Sequence, residues 1–326
     1  MATVLVGDIG GTKTGLAVAE VDGDRVKLEL ERRYPSQEFG SLADIVSLFI
    51  DETGAACERG AFAVAGPVVD DRSRTTNLPW ELDGSALAKQ LGLGRVRLLN
   101  DLEAVAWGVA ALGDADFCVL QAGAQDAAGN ACVVAAGTGL GEAGLYWDGQ
   151  AHRAFATEGG HTDFAATDER EFALLEFLQQ RIGRISWERV VSGMGIGNLY
   201  DFLSQSSSDA PPAPVAAAQA QDGDVAAAVA EAAADCSLCR ETMQLFAVLY
   251  GREAGNMALK QMALGGVYLS GGIAPKNLDL LREGGFLRGF LDKGRMRPLM
   301  ERMPVKVILE QRAPLIGAAR FVAGAA

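Results

Sequence analysis

Two glycine-rich turns about 130 residues apart, each set between apolar runs, constrain this chain more than any other feature. The first runs Thr3-Val-Leu-Val-Gly-Asp-Ile-Gly-Gly-Thr12 and continues into Gly15-Leu-Ala-Val-Ala19. The second runs Ala131-Cys-Val-Val-Ala-Ala-Gly-Thr-Gly-Leu-Gly141 and continues into Ala143-Gly-Leu-Tyr-Trp147. A small or β-branched apolar run, a Gly/Thr turn and a second apolar run are the signature of a hairpin. Glycine in such a turn permits φ > 0 and lets a ligand reach main-chain N–H groups without meeting a Cβ. Successive N–H groups form a nest for phosphate oxygens, to which the Thr12 and Thr138 hydroxyls add a donor each. Two matched turns point to a duplicated phosphate clamp.

A chain of 326 residues is too long for one core, so two domains are expected. Its 49% hydrophobic and 22% charged residues are those of an ordinary soluble globular protein. A net charge of −13 and a pI near 4.7 argue against an electrostatic footprint for nucleic acid or a membrane surface. The same charge opposes an anionic nucleotide, which local donors and a divalent cation must then hold. The N-terminus carries no basic segment of a signal peptide, and no run approaches the roughly 18 apolar residues of a membrane span. Five scattered cysteines suit a reduced, cytoplasmic interior. Cys236 and Cys239 lie in a helical pattern with no second pair, which favours two core thiols over a metal or redox motif.

The order of elements is that of α/β units. Strands are expected at 3–7, 14–20, 26–33, 60–65 and 95–99, with helices near 41–53, 84–91 and 101–112 and a polar loop through Thr75–Trp80. The pattern restarts at Phe117 with short strands to about Phe155. Helices follow at roughly 168–182, 187–203, 224–235 and 237–260, then strands at 266–270 and 305–310 and a helix at 314–322. Residues 204–224, rich in Ser, Ala, Pro and Gln, read as an exposed mobile loop. The terminal helix is expected to return to the first domain. The expected division is a small α/β domain over 1–110, completed by 303–326, and a larger α+β domain over 111–302.

Four further constellations could carry chemistry. Asn100 and Asp101 stand where a strand gives way to a helix. Asp101 could be simply the helix N-cap, or the pair could grip a polyol with the carboxylate as general base. Glu158 and His161 lie on the Gly-rich loop Thr157-Glu-Gly-Gly-His-Thr-Asp163, which suits polar substrate recognition. A structural loop, or a zinc site with His152, is the other reading. Glu188 reads alone as a first-turn helix acid capped by Ser186. Gly271-Gly272, after the strand ending at Ser270, could let an adenine ring lie against bare backbone or could be an ordinary tight turn.

Together these residues resemble the bacterial glucokinase family, the hexose kinases of the actin–hexokinase superfamily, nearly end to end and in unbroken order. The resemblance implies a two-domain actin/hexokinase-like, ribonuclease-H-like duplicated α/β fold with a ligand cleft between the domains. It implies a homodimeric ATP:D-glucose phosphotransferase, with no nucleic-acid or membrane partner. Gly7, Asp8, Ile9, Gly10, Gly11 and Thr12 would form the first phosphate segment, with Asp8 holding Mg²⁺ through water. Gly137, Thr138 and Gly139 would begin the second, and Gly271 and Gly272 would border the adenosine. Asn100, Asp101, Glu158, His161 and Glu188 match the sugar positions, and Asp101 the catalytic base; no zinc site is implied. Lys13 departs from the pattern, since proteobacterial members usually carry Asn there, and it resembles a neighbouring repressor/kinase sugar family instead. That family's zinc-binding cysteine cluster and preceding helix-turn-helix are both missing. The alternatives are a kinase for mannose, fructose or N-acetylglucosamine, and a non-catalytic hexose-sensing regulator.

Overall fold

In a computed structural model of the chain, residues 2–75, 78–124, 128–207, 210–221 and 223–324 are described. Thr76 and Asn77 of the expected loop at 75–80, and Ser208, Asp209 and Asp222 of that at 204–224, lie outside them. The chain divides into two compact units. The first comprises Met1–Phe117, Ala143–Ala156 and Glu310–Ala326, the second Cys118–Glu142 and Thr157–Leu309. The expected division put 143–156 with the second domain; that hairpin instead belongs with the first unit.

The strands are β1 Ala2–Ile9, β2 Lys13–Asp22, β3 Arg25–Pro35, β4 Arg59–Val64, β5 Arg72–Arg74, β6 Glu81–Asp83 and β7 Arg95–Asn100. After them come β8 Phe117–Gln121, β9 Ala131–Ala136, β10 Leu140–Trp147, β11 His152–Thr157, β12 Gly266–Ser270 and β13 Val305–Ile308. In the first unit β3-β2-β1-β4-β7 form one sheet. The β1–β2 hairpin ends with Ile9 opposite Thr14, and β4 and β7 add in parallel. Alternation along β1 sends Leu5 and Ile9 to one face and Val4 and Val6 to the other, and both faces are covered. Helices Leu42–Thr53 and Gly84–Leu91 cover one face with Ile45, Phe49 and Leu87. Helices Asp101–Gly108 and Ala313–Ala323 cover the other, so the terminal helix does return to this unit. These two helices cross closely: a Cβ on Gly317 would lie 1.7 Å from the Ala104 carbonyl oxygen, and one on Gly108 2.6 Å from that of Ala313. Buried Arg320 locks the crossing by donating to the Trp107 carbonyl and to Asp24. The short β5–β6 ladder occupies what the sequence suggests is plain loop.

In the second unit β9-β12-β13-β8 are neighbours, with β9, β12 and β13 parallel. Every residue of β9 is buried, as its uninterrupted Ala/Cys/Val run demands. The 25-residue helix Ser237–Gln261 packs on it, and the Tyr250 hydroxyl donates to the Val134 carbonyl at 2.9 Å. Cys236 is the N-cap of that helix, its sulfur accepting the Cys239 N–H, while the Cys239 side chain is buried. The expected helix at 187–203 is broken. A single 3₁₀ turn, Trp187–Arg189, precedes a helix over Gly193–Ser204 that Ser192 caps. Residues 204–224 are not all loop either, because Ala213–Ala220 is a helix that buries Val215. Its prolines sit at the entry, where a missing N–H costs nothing, and the alanines behind them favour helix. Among the described residues no helix is long and apolar enough to cross a membrane.

The crossing at Gly317 gives a direct test. Gly317→Val inserts a branched side chain where even a Cβ has no room, and overpacking of this kind costs about 3 kcal/mol. Thermal unfolding should show the melting temperature falling by several degrees; an unchanged one would mean that the helices do not cross as described.

Candidate active site

The first glycine turn connects β1 to β2. Gly7 and Ile9 are buried in the sheet, and a Cβ on Gly7 would lie 2.6 Å from the Phe62 ring and 2.8 Å from Leu16. The side-chain positions of Gly7 and Ile9 are thus taken up by core packing. Asp8 faces the other way, into a pocket of about 240 Å³ lined also by Lys13, Arg33 and Arg312. Burial pushes the Asp8 carboxyl up to about 6, against the opposing pull of Arg33. Gly10, Gly11 and Thr12 form the turn itself. The Gly10 N–H donates to the Lys13 carbonyl at 3.0 Å, and buried Ser36 holds the loop from outside. Its hydroxyl donates to the Gly10 carbonyl at 2.8 Å and its N–H to that of Thr12 at 3.0 Å. The sequence gives no local hint of Ser36, which acts across 26 residues.

At the end of β7, Asn100 and Asp101 divide the work. Asn100 is the N-cap: its Oδ1 accepts the N–H groups of Leu102 and Glu103 at 2.9 and 3.2 Å, and its Nδ2 donates to the Gly66 carbonyl at 3.1 Å. Asp101 is the first helical residue, and its Oδ1 accepts the adjacent Leu102 N–H at 2.9 Å. The capping role that could have accounted for Asp101 thus belongs to its neighbour.

In the second unit the other glycine turn joins β9 to β10. The Gly137 N–H donates to the Gly139 carbonyl at 2.9 Å, and the Gly193 N–H to that of Gly137 at 2.8 Å. Neither Gly137 nor Gly139 has a left-handed φ, so what matters here is the absence of a side chain. A Cβ on Gly139 would meet the Glu188 Oε2 at 2.4 Å, and that oxygen accepts the Leu140 N–H at 3.0 Å. Glu188 is therefore no helix acid. Ser186 makes no side-chain cap, and the single turn holding Glu188 presents its carboxylate to the glycine turn. The other Glu188 oxygen stands 3.9 Å from His161 Nδ1, and Glu158 Oε2 stands 3.9 Å from His161 Nε2. Glu158, His161 and Glu188, far apart in sequence, form one polar cluster. Backbone bonds hold it: Trp187 N–H to the Thr162 carbonyl and Phe164 N–H to that of Ile185, both 3.0 Å. Among the described residues no three His, Cys, Asp or Glu side chains form a metal-holding group.

Beyond the second turn lies a cavity of about 1170 Å³, lined by Gly137, Thr138, Gly193, Asn198, Gly272 and Lys276 among others. Gly271 has φ 81°, and a Cβ there would lie 2.4 Å from the Ala136 carbonyl, whereas Gly272 faces open space. The double glycine thus makes the turn with one residue and offers bare backbone with the other. Sequence reasoning missed Gly193, Asn198 and Lys276. The glycines of Ser192-Gly-Met-Gly195, and a lysine just after Pro275, were the available signals.

This is the architecture of an α/β sugar kinase of the actin–hexokinase type, with a glycine turn in each unit. The glucokinase family profile matches residues 5–325. A glucokinase of Synechocystis sp. is 42% identical over 97% of this chain and 96% of its own length, and one of Nostoc punctiforme 42% over 98% of each. Among solved structures, a glucokinase from an Antarctic psychrotroph has a TM-score of 0.86 at 29% identity, covering 99% of both chains. A ROK family glucokinase from Streptomyces griseus, in complex with glucose and AMPPNP, shares the fold at TM-score 0.66 and 21% identity, covering 99% of both. The chain belongs to the glucokinase family, and its activity is the ATP-dependent phosphorylation of glucose.

A side chain at Gly139 would meet Glu188 as well as alter the turn itself. Gly139→Val must displace the Glu188 carboxylate. Losing a charged hydrogen bond costs about 1.5–3 kcal/mol, so the KM for glucose should rise about 10–100-fold alongside that for ATP. An altered ATP KM with an unaltered glucose KM would show that Glu188 lies outside the sugar site.

Proposed function

We propose that Asp101 is the general base of the glucose kinase reaction, that Asn100, Glu158, His161 and Glu188 hold the sugar, and that the two glycine turns hold the nucleotide phosphates. The observation that carries this reading is the division of labour at Asn100–Asp101: Asn100 supplies the N-cap, and Asp101 sets a carboxylate beside it at the carboxyl end of a parallel strand, where ligands of open α/β sheets bind. Phosphoryl transfer asks a protein for alignment and charge stabilisation more than for covalent participation. The proton of the glucose 6-hydroxyl passes to Asp101 as its oxygen bonds to the γ-phosphorus. The bond to the bridging oxygen breaks, and ADP leaves with the electron pair.

The carboxylates of Glu158 and Glu188 accept hydroxyl protons of the sugar, and His161 sits between them, able to donate. The Gly137–Gly139 turn and the bare backbone at Gly272 border the cavity proposed for ATP, where Lys276 adds a cation. Asp8 fits a Mg²⁺ held through water: it is a carboxylate driven up by burial, which a cation would relieve. Bound there, the ion would neutralise phosphate charge. The homodimer implied by the resemblance and the cytoplasmic location suggested by the cysteines belong to the same proposal. A solution mass twice the 34.1 kDa of the chain would bear out the first.

Asp101→Asn should lower kcat by about 10²–10⁴-fold, the usual worth of a general base, and leave the melting temperature unchanged. Asn100→Ala, by contrast, should cost about 1 kcal/mol of stability as a lost N-cap. A variant at 101 retaining more than half of wild-type kcat would return Asp101 to a structural role.

Specificity is tested separately. Mannose, inverted at C2, and N-acetylglucosamine, with a bulky amide there, leave at least one charged group of the cluster unpaired. Each should lose about 10–100-fold in kcat/KM against glucose. Equal efficiency with either sugar would make the chain a broader hexose kinase.

A further inference from the structure

Beneath the loop that carries Glu158 and His161 lie two buried carboxyl groups that no step of the reaction uses. Glu142, at the edge of the second unit, is 1% exposed, and Glu253, inside the helix Ser237–Gln261, is 0% exposed. They face one another within hydrogen-bonding reach. Among the described residues no N–H or hydroxyl donor reaches either carboxylate oxygen of Glu142, nor Oε1 of Glu253. Glu253 Oε2 accepts from Asn256 Nδ2 at 2.9 Å, and Lys260 Nζ stands 3.9 Å from Oε1. Cys132 from β9 and Tyr250 from the helix also face Glu142, and Lys293 faces Glu253. Two adjacent buried anions are untenable, and a proton on one supplies the donor that the other lacks.

This pair touches the loop directly. A Cβ on Gly159 would lie 1.9 Å from Glu142 Oε2, so the loop backbone rests on the carboxyl group. The Thr157 hydroxyl donates to the Glu142 carbonyl at 3.1 Å and accepts the Gly159 N–H at 3.3 Å. We infer that Glu142 and Glu253 share one proton and together form the floor that positions Glu158 and His161, so that losing this proton weakens glucose binding. Glu142 is a positioning residue, and the inference rests on the reading of this loop as part of the sugar site.

Two readouts separate the parts. Burial and Glu253 push the Glu142 carboxyl up from 4.5 to about 8. The folded chain therefore holds a proton that the unfolded chain releases, and stability must fall as pH rises from about 4.5 to about 8, then level off. Over that range the melting temperature of the wild type should drop relative to Glu142→Gln, which is uncharged at every pH and can donate to Glu253. In steady-state kinetics, the wild-type KM for glucose should rise about tenfold between roughly pH 7.5 and 9.5, while the KM for ATP moves less than about twofold. Glu142→Gln should show no such rise; Glu253→Gln takes its place if that variant folds poorly. A flat wild-type glucose KM overturns the inference. So does a rise retained in Glu142→Gln, which would belong to Lys293, whose ammonium burial lowers to about 8. If His161→Ala leaves the glucose KM untouched, the sugar-site reading itself fails and the positioning role falls with it. The shared proton would still be visible in the melting temperatures.

Discussion

The Glu188 carboxylate is the pivot of the second unit. One of its oxygens takes the Leu140 N–H at 3.0 Å in the space where Gly139 would otherwise carry a side chain, and the other faces His161 at 3.9 Å. Hydrogen bonds to an ionised acceptor are roughly twice as strong as neutral ones. The Ser192 hydroxyl fixes the Glu188 carbonyl at 2.7 Å and also caps the next helix. The glycine turn, the polar cluster and that helix therefore form one rigid assembly. A ligand that orders the turn also orders the cluster, which is one way for two substrates to favour each other's binding without touching. Gly139 is then demanded by the Glu188 carboxylate, whatever the turn holds.

Buried acids elsewhere in the chain fall into two kinds. Glu171, 2% exposed, has Arg252 Nε at 2.7 Å, and Arg252 extends the pairing to Asp292 at 2.9 Å. Such groups are neutralised in place and contribute to the fold. Asp8 and Glu142 are different, because burial raises both and no arginine or lysine makes a direct ion pair with either among the described residues. Each lies against a loop proposed to hold a ligand. A desolvated carboxylate without a partner is costly, and the cost would be relieved by the cation proposed at Asp8 and by the shared proton inferred at Glu142. The unpaired acids thus mark positions where binding or protonation supplies what the fold leaves out.

What the sequence made legible was local. The hairpins around both glycine turns, the alternation in β1 and the return of the terminal helix all follow from short apolar patterns, and they stand as expected. Asn100 and Asp101 were visible as a pair, but which of them caps depends on backbone angles that residue identity does not give. Glu188 was misread alone because its partners, Leu140 and His161, lie 48 and 27 residues away, a spacing with no periodic trace. The helix Ala213–Ala220 was hidden by its prolines, which weigh as breakers in composition and act as starters at a helix entry. The cavity beside Gly272 draws on segments near 137, 193, 224 and 272, of which the sequence patterns marked only Gly137, Thr138 and Gly272.

Charge gives the fold its remaining problem. A chain of net charge −13 must attract a nucleotide that is itself strongly anionic, and at physiological salt a surface field is screened within about 8 Å. Recognition must therefore rest on donors and cations within that distance of the phosphates. In the first unit Lys13, Arg33 and Arg312 line the same small pocket as Asp8, a local excess of positive charge beside the turn. Arg312 is already committed to Glu310 through Nη2, and Arg33 stands 3.6 Å from Glu31. Lys13 makes no ion pair among the described residues, so it is the cation least engaged by the protein. Lys13, the residue at which the resemblance to proteobacterial members breaks, thus adds positive charge at the first turn. There a lysine, a compact charge on a flexible stem, can follow a phosphate that a shorter side chain could not reach.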